Sequence, residues 1–375
     1  MKQGWEIKKL GEVCEVLNGY AFDSNLFTDD NTCVPIIRIR DIKRGYTETF
    51  YKGEYAQEYI INKGNYLIGM DGEFNIAEWS GKDSLLNQRV CKLSVVSSEL
   101  MKRFVLWYMS IALKQIEDET PFVTVKHLSS KKLLNIPIPV PPIPVQEQIV
   151  SELDLLSGII EKKREQLKEF DALAQSIFYD MFGDPITNEK GWEVKKLGEV
   201  APAKEYKGEI PNKDGKYWLL NLDMVTAHTG EIIEQCYFEP NEIGNSTIVF
   251  NGENVLYSKL RPYLNKVVLP KDIGFATSEL VPLFPNKLQL DRMYLAHTLR
   301  SSSFVEYISA KVAGAKMPRV SMNEFRTFPI PLPPLPLQHQ FASKIEAIER
   351  QKELIKQSIS ETETLFNARM QEHFG

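Results

Sequence analysis

The chain has 375 residues, which is more than one ordinary hydrophobic core needs and predicts two or three domains. Its composition, 43% hydrophobic and 25% charged, is typical of a globular protein, and no apolar run is long enough to span a membrane. The net charge of −5 excludes a generally basic surface, so basic groups that bind nucleic acid would have to be clustered.

Cysteine and histidine residues are few and lie far apart. The four cysteines, Cys14, Cys33, Cys91 and Cys236, form no C-x-x-C pair. This spacing favours reduced thiols over a disulfide framework or a zinc site, and we expect no bound metal. Since the first residues, MKQGWE, also contain no apolar stretch typical of a signal peptide, we expect a cytoplasmic protein.

The chain contains an internal duplication. Residues 4–13, GWEIKKLGEV, return as residues 191–200, GWEVKKLGEV, with nine of ten positions identical. Residues 136–148 return as residues 328–340 with all five prolines and both flanking glutamines in register. Two tandem copies of one unit are therefore predicted.

Between these anchors the two copies diverge into unlike inserts. In the first, β-type runs at residues 34–39 and 66–68 are separated by turn signals, and residues 99–117 predict a helix. Residues 290–312 predict a helix in the second copy. We expect each insert to be an α/β domain rich in short strands. One framework with two unlike inserts predicts two different binding surfaces, although faster drift of surface loops would also produce it.

A proline-rich segment follows each insert. Its alternating apolar and proline residues exclude a helix and predict an extended, polyproline-like path. One interpretation is that this segment is a ligand for a proline-binding domain. We favour a stiff connector, because its apolar residues indicate packing against the protein rather than exposure to a partner.

The clearest periodic pattern comes next. From Gln146 to Phe182 apolar residues recur in alternating steps of four and three, which predicts a helix with a coiled-coil seam, roughly 55 Å long. The second copy repeats the pattern from Gln338, with Lys163 and Lys352 as polar members of the seam. The predicted helix-pair interface comprises Ile149, Leu153, Leu156, Ile160, Leu167, Phe170 and Ile177 in the first helix and Phe341, Ile345, Ile348, Ile355, Ile359 and Phe366 in the second.

These elements predict an α+β fold. Because the first helix must lead the chain from one insert to the other, we expect the two helices to pair antiparallel and separate the two strand-rich domains about a pseudo-two-fold axis. The predicted boundaries are 1–145 and 184–337 for the two domains with their connectors, and 146–183 and 338–375 for the helices.

In this order of elements the chain resembles the specificity subunit of a type I restriction-modification system. Local phrases carry the resemblance as well, and it extends over essentially the whole chain. They are Gly19-Tyr20-Ala21-Phe22, Leu86-Asn87-Gln88-Arg89-Val90, Phe182-Gly183-Asp184-Pro185, Tyr257-Ser258-Lys259-Leu260-Arg261-Pro262 and Pro318-Arg319-Val320-Ser321.

The resemblance implies two target-recognition domains, each of which reads one half of a split, asymmetric site in double-stranded DNA. It further implies two modification subunits, which use S-adenosylmethionine to methylate adenine, and restriction subunits, which use ATP and Mg²⁺ for cleavage. No cofactor is expected on this chain. Groove reading by one module covers only a few base pairs, so a long target needs two modules.

The resemblance also indicates which cations to consider for DNA contacts, with solvated surface charge as the alternative for each. Lys259, Arg261 and Arg319 lie within the phrases, and Lys316 lies in the turn before the last of them. The complete set of candidates is Arg38, Arg40, Lys43, Arg44 and Lys126 in the first copy, and Lys259, Arg261, Lys316 and Arg319 in the second.

The chain lacks the sequence patterns of the partner enzymes. It has neither an N-P-P-F or D-P-P-Y methyltransferase motif nor a G-x-x-x-x-G-K-[ST] phosphate loop, so we expect no catalytic residues. Asp30 with Asp41 and Lys43 could mimic the metal site of a nuclease, but such short patterns are common by chance. A protein-interaction scaffold with two unlike binding domains is the alternative function.

Overall fold

The computed structural model describes residues 4–119, 126–312, 314 and 316–375. The chain divides into two compact units. The first comprises Met1–Lys162 and Ser358–Gly375, and the second comprises Lys163–Gln357. Each unit therefore contains one strand-rich domain and a part of each of the two long helices.

The first unit consists mainly of short strands, with one medium helix and the start of a long one. Its elements are β1 (Glu6–Lys9), α1 (Leu10–Val13), β2 (Cys14–Asn18), β3 (Phe27–Thr28), β4 (Val34–Ile37), β5 (Phe50–Tyr51), β6 (Ile60–Ile61), β7 (Tyr66–Gly69), β8 (Asn75–Glu78), β9 (Ser84–Leu86), β10 (Val90–Val95), α2 (Lys102–Glu119), α3 (Ser130–Leu134), β11 (Pro137–Val140) and α4 (Ile143–Phe182).

These strands form two sheets and a ribbon. One sheet is antiparallel, in the order β2-β10-β7-β8, and the other has the order β3-β5-β4-β9-β6. In the second sheet β4 and β9 are parallel, pairing Ile36 with Leu85 and Ile37 with Leu86. All four side chains are fully buried, as is typical of parallel strands that are covered on both faces.

The proline segment pairs as β11 with β1, which confirms the predicted extended path. Its prolines donate no hydrogen bond and stand on a two-stranded ribbon, while Ile138 between them is fully buried. The extended stretch is shorter than predicted, because α4 already begins at Ile143. Pro144 is the second residue of that helix, where the missing N–H costs no helical hydrogen bond.

One core joins the antiparallel sheet of the first unit to its helices. It contains Tyr66 and Leu93 from the sheet, Phe104 from α2 and Leu153 from α4. Phe374, from the C-terminal segment of the chain, completes it with its ring 5.4 Å from that of Phe104. The long helix is thus anchored in the same core as the strand-rich domain.

The second unit repeats this plan with different strands. Its elements are β12 (Glu193–Lys196), α5 (Leu197–Val200), β13 (Tyr217–Leu220), β14 (Tyr237–Phe238), β15 (Thr247–Phe250), β16 (Val255–Ser258), β17 (Val267–Val268), β18 (Gly274–Thr277), β19 (Leu280–Leu283), α6 (Arg292–Arg300), α7 (Ser302–Ala310), α8 (Met322–Thr327), β20 (Pro329–Leu332) and α9 (Leu335–Phe374).

Its sheets have the orders β14-β13-β18-β15 and β17-β16-β19, and β12 pairs with the proline strand β20. The single helix predicted over residues 290–312 is wrong, because the structure has α6 and α7 there. Ser301 separates them with ψ 142°, and its hydroxyl accepts a hydrogen bond from the backbone N–H of Phe304. A serine that caps a new helix ends the old one, although the apolar pattern continues.

In the second unit the two long helices pack antiparallel. Asp171 of α4 contacts Lys352 of α9, whereas Phe182, further along α4, contacts Phe341, nearer the start of α9. In the first unit Glu152 of α4 contacts Arg369 and His373 near the end of α9. The predicted α+β fold, with two strand-rich domains and two long antiparallel helices, is confirmed.

Candidate nucleic-acid interface

Four candidate cations of the first domain lie close together in sequence and structure. Arg38 precedes a short 3₁₀ turn, Ile39–Asp41, and its backbone N–H donates to the Asp41 carboxylate at 2.9 Å. Arg40 lies 3.8 Å from the same carboxylate. Lys43 pairs with Glu73, and both Lys43 and Arg44 are exposed. The turn therefore presents a small basic surface whose contact with DNA stays a prediction.

The carboxylates proposed for a nuclease have local structural roles. Asp41 is buried and caps the 3₁₀ turn. Asp30 is exposed and accepts hydrogen bonds from the N–H and hydroxyl of Thr32, which hold the pKa of Asp30 below its usual range. Across residues 4–119, 126–312, 314 and 316–375, no three Asp, Glu, His or Cys side chains are grouped as metal ligands.

Three candidate cations of the second domain meet at one place, although they are up to sixty residues apart in sequence. The N–H of Arg261 donates to Pro318 O at 2.8 Å, and the N–H of Val320 donates to Lys259 O at 2.8 Å. Leu260 and Arg319 face each other across this bridge. Lys316 is exposed, and its neighbour Ala315 lies outside the described residues.

The same bridge exists in the first domain. The N–H of Gly72 donates to Lys126 O at 2.9 Å, and the N–H of Leu128 donates to Met70 O at 2.8 Å. Asp71 and His127 face each other across it. Each bridge also receives a third segment, because the N–H of Met70 donates to Arg89 O and that of Lys259 donates to Glu279 O.

We call this arrangement the strand junction. It comprises Met70–Gly72, Arg89 and Lys126–Leu128 in the first domain, and Lys259–Arg261, Glu279 and Pro318–Val320 in the second. Sequence reasoning missed Asp71, Arg89 and His127. Arg89 lies in the phrase Leu86–Val90, but only the pairing of strands shows that it is the counterpart of Glu279.

The junction side chains form ion pairs at the surface. In the first domain the Asp71 carboxylate lies 3.1 Å from Arg89 Nε and 2.5 Å from His127 Nδ1. In the second, Arg319 pairs with Glu279. Lys126, whose carbonyl oxygen belongs to the first junction, donates through Nζ to Glu117 O.

The predicted residues of the helix-pair interface all lie on buried or half-buried faces. Ile149, Leu153 and Phe366 pack in the core of the first unit, and Phe170, Ile177, Phe341, Ile345 and Ile348 pack in a core of the second. The role of the whole set as one interface stays a prediction. Fully buried are Ile149, Leu153, Leu156, Ile160, Phe341, Ile345 and Ile348, and half-buried are Leu167, Phe170, Ile177, Ile355, Ile359 and Phe366.

A buried lysine interrupts the seam, as predicted from its position. Lys352 is 8% exposed, and its ammonium lies 2.7 Å from Asp171 and 3.0 Å from Glu349. Burial lowers the pKa of Lys352, but hydrogen bonds and charge from these carboxylates raise it by more. The lysine is therefore charged, and its pairing with Asp171 favours one register of the two helices.

A mixed sheet-and-helix unit that occurs twice, with unlike domains on a common framework, defines a tandemly duplicated two-domain protein. The family described as "Type I restriction modification DNA specificity domain" matches residues 2–169 and 189–364. The chain therefore belongs to this family and contains two copies of its domain. This confirms the predicted resemblance and does not favour the protein-interaction scaffold.

Individual relatives agree with this assignment. The EcoBI specificity subunit of Escherichia coli is 37% identical over 58% of this chain, a match that spans only 46% of that relative. The EcoDI specificity subunit of the same species is 19% identical over 95% of this chain and 84% of its own length.

The fold is similar to that of a solved type I S subunit from M. genitalium. The TM-score is 0.55 at 12% identity, and the alignment covers 99% of this chain and 96% of the other. In the part of the chain that the structure describes, no helix is long and apolar enough to cross a membrane.

Proposed function

We propose that this chain selects the DNA sequence on which a type I restriction-modification complex acts, and that each domain reads one half of a bipartite, asymmetric target. The observation that carries this proposal is the contrast within the duplication. Residues 4–13 and 191–200 are nearly identical, whereas the sheet with the parallel pair β4-β9 has five strands in the first domain and its counterpart with the parallel pair β13-β18 has four in the second. Two unlike readers on one framework fit two unlike half-sites.

We further propose that two modification subunits dock on the repeated framework. Ile7 and Val194 occupy equivalent positions and are 55% and 49% exposed. Leu173 and Leu365, also equivalent, are 45% and 46% exposed. Large apolar side chains that stay exposed at the same place in both copies favour one kind of partner that binds twice.

The chain itself performs no catalysis in this proposal. S-adenosylmethionine, ATP and Mg²⁺ bind to the modification and restriction subunits, which act on adenine and on the DNA backbone in the cytoplasm. The chain supplies the docking surface and the choice of site. A preparation of the chain alone is therefore expected neither to methylate nor to cut DNA.

The central experiment exchanges one domain. Residues 14–135 are replaced by the insert of another family member, the complex is assembled with its modification subunits, and methylated adenines are mapped by sequencing. One half of the target is expected to change and the other half to persist, because each domain reads separately. The reciprocal exchange of residues 201–327 is the matched control and is expected to change the opposite half.

Two results would contradict the proposal. If either exchange altered both halves in an assembled, active complex, the domains would not be independent readers. If the unmodified complex showed no sequence preference in a mobility-shift competition, the scaffold function would replace DNA recognition.

Docking is tested by counting subunits. Native mass spectrometry is expected to find two modification subunits on the unmodified chain, one on Ile7→Ser or on Val194→Ser, and none on the double variant. Leu288→Ser is the control, because Leu288 is 84% exposed but has no apolar counterpart, Ser98 being its equivalent. Two bound subunits on the double variant would place docking elsewhere.

A further inference from the structure

The two strand junctions share a backbone and differ in every outward side chain. The three main-chain hydrogen bonds that build each junction join equivalent positions of the chain in both domains. The facing residues, however, are Asp71 and His127 in one domain and Leu260 and Arg319 in the other. The third segment contributes Arg89 in the first domain and Glu279 in the second, so the charge of the side chain at this position is reversed.

This contrast has a physical meaning. A position that serves only the fold tends to keep its residue in both copies, because the same packing has to be satisfied twice. Here main-chain hydrogen bonds already hold the segments together, so the side chains can differ between the two copies. Domains that recognise different DNA sequences require a constant backbone that presents variable, charged side chains.

The side chains at the first junction face solvent and contribute little to folding. The side chains of Arg89 and His127 are each 64% exposed, whereas that of Asp71 between them is 14% exposed. Exposed ion pairs of this kind stabilise a protein by about 0–1 kcal/mol. Asp71 therefore orients the two exposed groups more than it stabilises the domain.

Backbone strain accompanies both junctions. Arg89 has φ 73° and Arg261 has φ 51°, conformations that residues other than glycine rarely adopt. Such strain costs about 1 kcal/mol or more and is concentrated at functional sites. In both domains it falls on an arginine of the junction.

The turn before Arg89 adds further groups that can read bases. Asn87 pairs with Tyr20 across an isolated bridge, and the N–H of Gln88 donates to Tyr20 O at 2.8 Å. The backbone at Gly19 passes so close to that of Asn87 that a Cβ on Gly19 would lie 2.0 Å from Asn87 O. Gln88 is exposed, and Tyr20 is 52% exposed although its ring packs against Phe22 at 5.1 Å.

We propose that the strand junction is the base-reading site of each domain, an inference that rests on the proposed function. In the first domain Arg89 reads a guanine and Gln88 reads a neighbouring adenine in the major groove, since these residue types match those bases. The Asp71 carboxylate lies 3.1 Å from Arg89 Nε, which leaves the two terminal nitrogens of the guanidinium for O6 and N7 of guanine. In the second domain Glu279 accepts from a terminal nitrogen of Arg319 and so positions it, and the remaining guanidinium N–H groups of Arg319 take this role with Lys259 and Arg261 beside them.

The test uses the full chain assembled with its modification subunits. Competition binding compares the cognate DNA, mapped from methylated adenines, with duplexes changed at one base pair of one half-site. Arg89→Gln is expected to reduce the preference for one guanine of the first half-site by roughly 5- to 150-fold, the value of one bidentate pair. Arg319→Gln is expected to do the same in the second half-site only.

Two controls separate base reading from other effects. Lys63→Gln removes one exposed positive charge from the same domain, outside the junction, and is expected to leave every base preference intact. Arg89→Lys keeps the charge but loses the planar fork, and is expected to keep non-specific affinity while it loses discrimination. Thermal unfolding of each variant confirms that the domain is intact.

Asp71 is a positioning residue, and a double-mutant cycle tests it. Asp71→Asn is expected to weaken the preference at the same base pair as Arg89→Gln, and to have no further effect in the Arg89→Gln background. A purely structural role would lower affinity for all sequences and would add to the effect of Arg89→Gln.

Three outcomes overturn the proposal. Arg89→Gln could leave all base preferences unchanged, it could weaken cognate and altered duplexes equally, as expected of a phosphate contact, or it could relax both half-sites. In each case the unmodified complex still prefers its target, so only the assignment of the junction fails. Loss of preference in the unmodified complex would instead refute the proposed function.

Discussion

Two regions that occur twice in this chain behave in opposite ways. At the start of each long helix stands a glutamine, Gln146 or Gln338, that is fully buried. Gln146 accepts from Met101 N at 2.8 Å and donates to Glu99 O and Pro141 O, both at 2.7 Å. Gln338 makes the same three bonds with Asp291, Gln289 and Pro333.

At the strand junctions, by contrast, no outward side chain is shared between the copies. Each glutamine joins two segments, residues 99–101 to Pro141 in the first unit and residues 289–291 to Pro333 in the second, and its side chain satisfies three of their backbone groups. The junctions are held by main-chain bonds, and their side chains can change without cost to the fold. Identity between the copies therefore accompanies a mechanical role at the glutamines, whereas divergence at the junctions accompanies the proposed reading of different bases.

A third position lies between these extremes. The helices α2 and α6 are equivalent, and they carry Trp107 and His297 at the same half-buried place. Trp107 donates from Nε1 to Asp154 at 2.8 Å, whereas His297 stands against the rings of Phe178 and Phe341. Here both copies place an aromatic ring, but only the ring in the second copy can take up a proton.

The largest effect is expected from the glutamines. Gln146→Ala would leave the Met101 N–H and two carbonyl oxygens without their partner, and should lower the free energy of unfolding by about 2–4 kcal/mol. Gln338→Ala should do the same in the second unit. Chemical denaturation measures the change.

Gln148→Ala is the matched control for Gln146→Ala, because Gln148 is exposed two residues further along the same helix. It should change the free energy of unfolding by less than about 0.5 kcal/mol. Equal effects of the two substitutions would show that the shared glutamine has no mechanical role, and the comparison of the copies would fail.

An intermediate effect is expected from pH. His297 lines a cavity of about 1530 Å³, and burial together with the charges of Arg300 and Lys352 lowers the pKa of His297 to about 3 from 6.5. The unfolded chain takes up a proton below pH 6.5 and the folded chain does not. The contribution of His297 to the free energy of unfolding is therefore complete above pH 6.5. It falls by about 1.4 kcal/mol for each pH unit from there towards pH 3, so that ~2 kcal/mol is lost at pH 5.

The variant His297→Phe removes that dependence, since phenylalanine fits between the same rings and binds no proton. The difference between its free energy of unfolding and that of the unmodified chain should grow from pH 7 to pH 5, with the change in hydrogen exchange confined to the second unit. His339→Phe, at an exposed histidine, should show no such growth. Parallel curves for His297→Phe and the unmodified chain would contradict the assignment.

The smallest effect on stability is expected at the junction. Arg89→Gln should change the free energy of unfolding by no more than about 1 kcal/mol, because the ion pair with Asp71 is exposed on the arginine side. Denaturation at low and at high salt measures it. A loss as large as that of Gln146→Ala would mean that the junction side chains serve the fold, and their divergence would need another explanation.

The sequence by itself determined the features that depend on neighbouring residues. The duplication is visible in residues 4–13 and 191–200, the extended proline strands follow from the missing N–H groups, and the period of 3.5 predicts both long helices. These patterns are local, so they can be recognised before anything is known of the fold. Local patterns also explain the errors, because the apolar period continues across Ser301, where the serine hydroxyl starts a new helix.

The tertiary structure alone decided which residues meet. Asp71 follows β7, Arg89 precedes β10 and His127 precedes α3, so these residues are separated by up to 56 positions and no periodicity connects them. The same holds for Glu279 and Arg319, whose pairing depends on β16 lying beside β19. Strand pairing is non-local and is selected by burial of the whole sheet, so a site built where strands end can be located only once the sheet has formed.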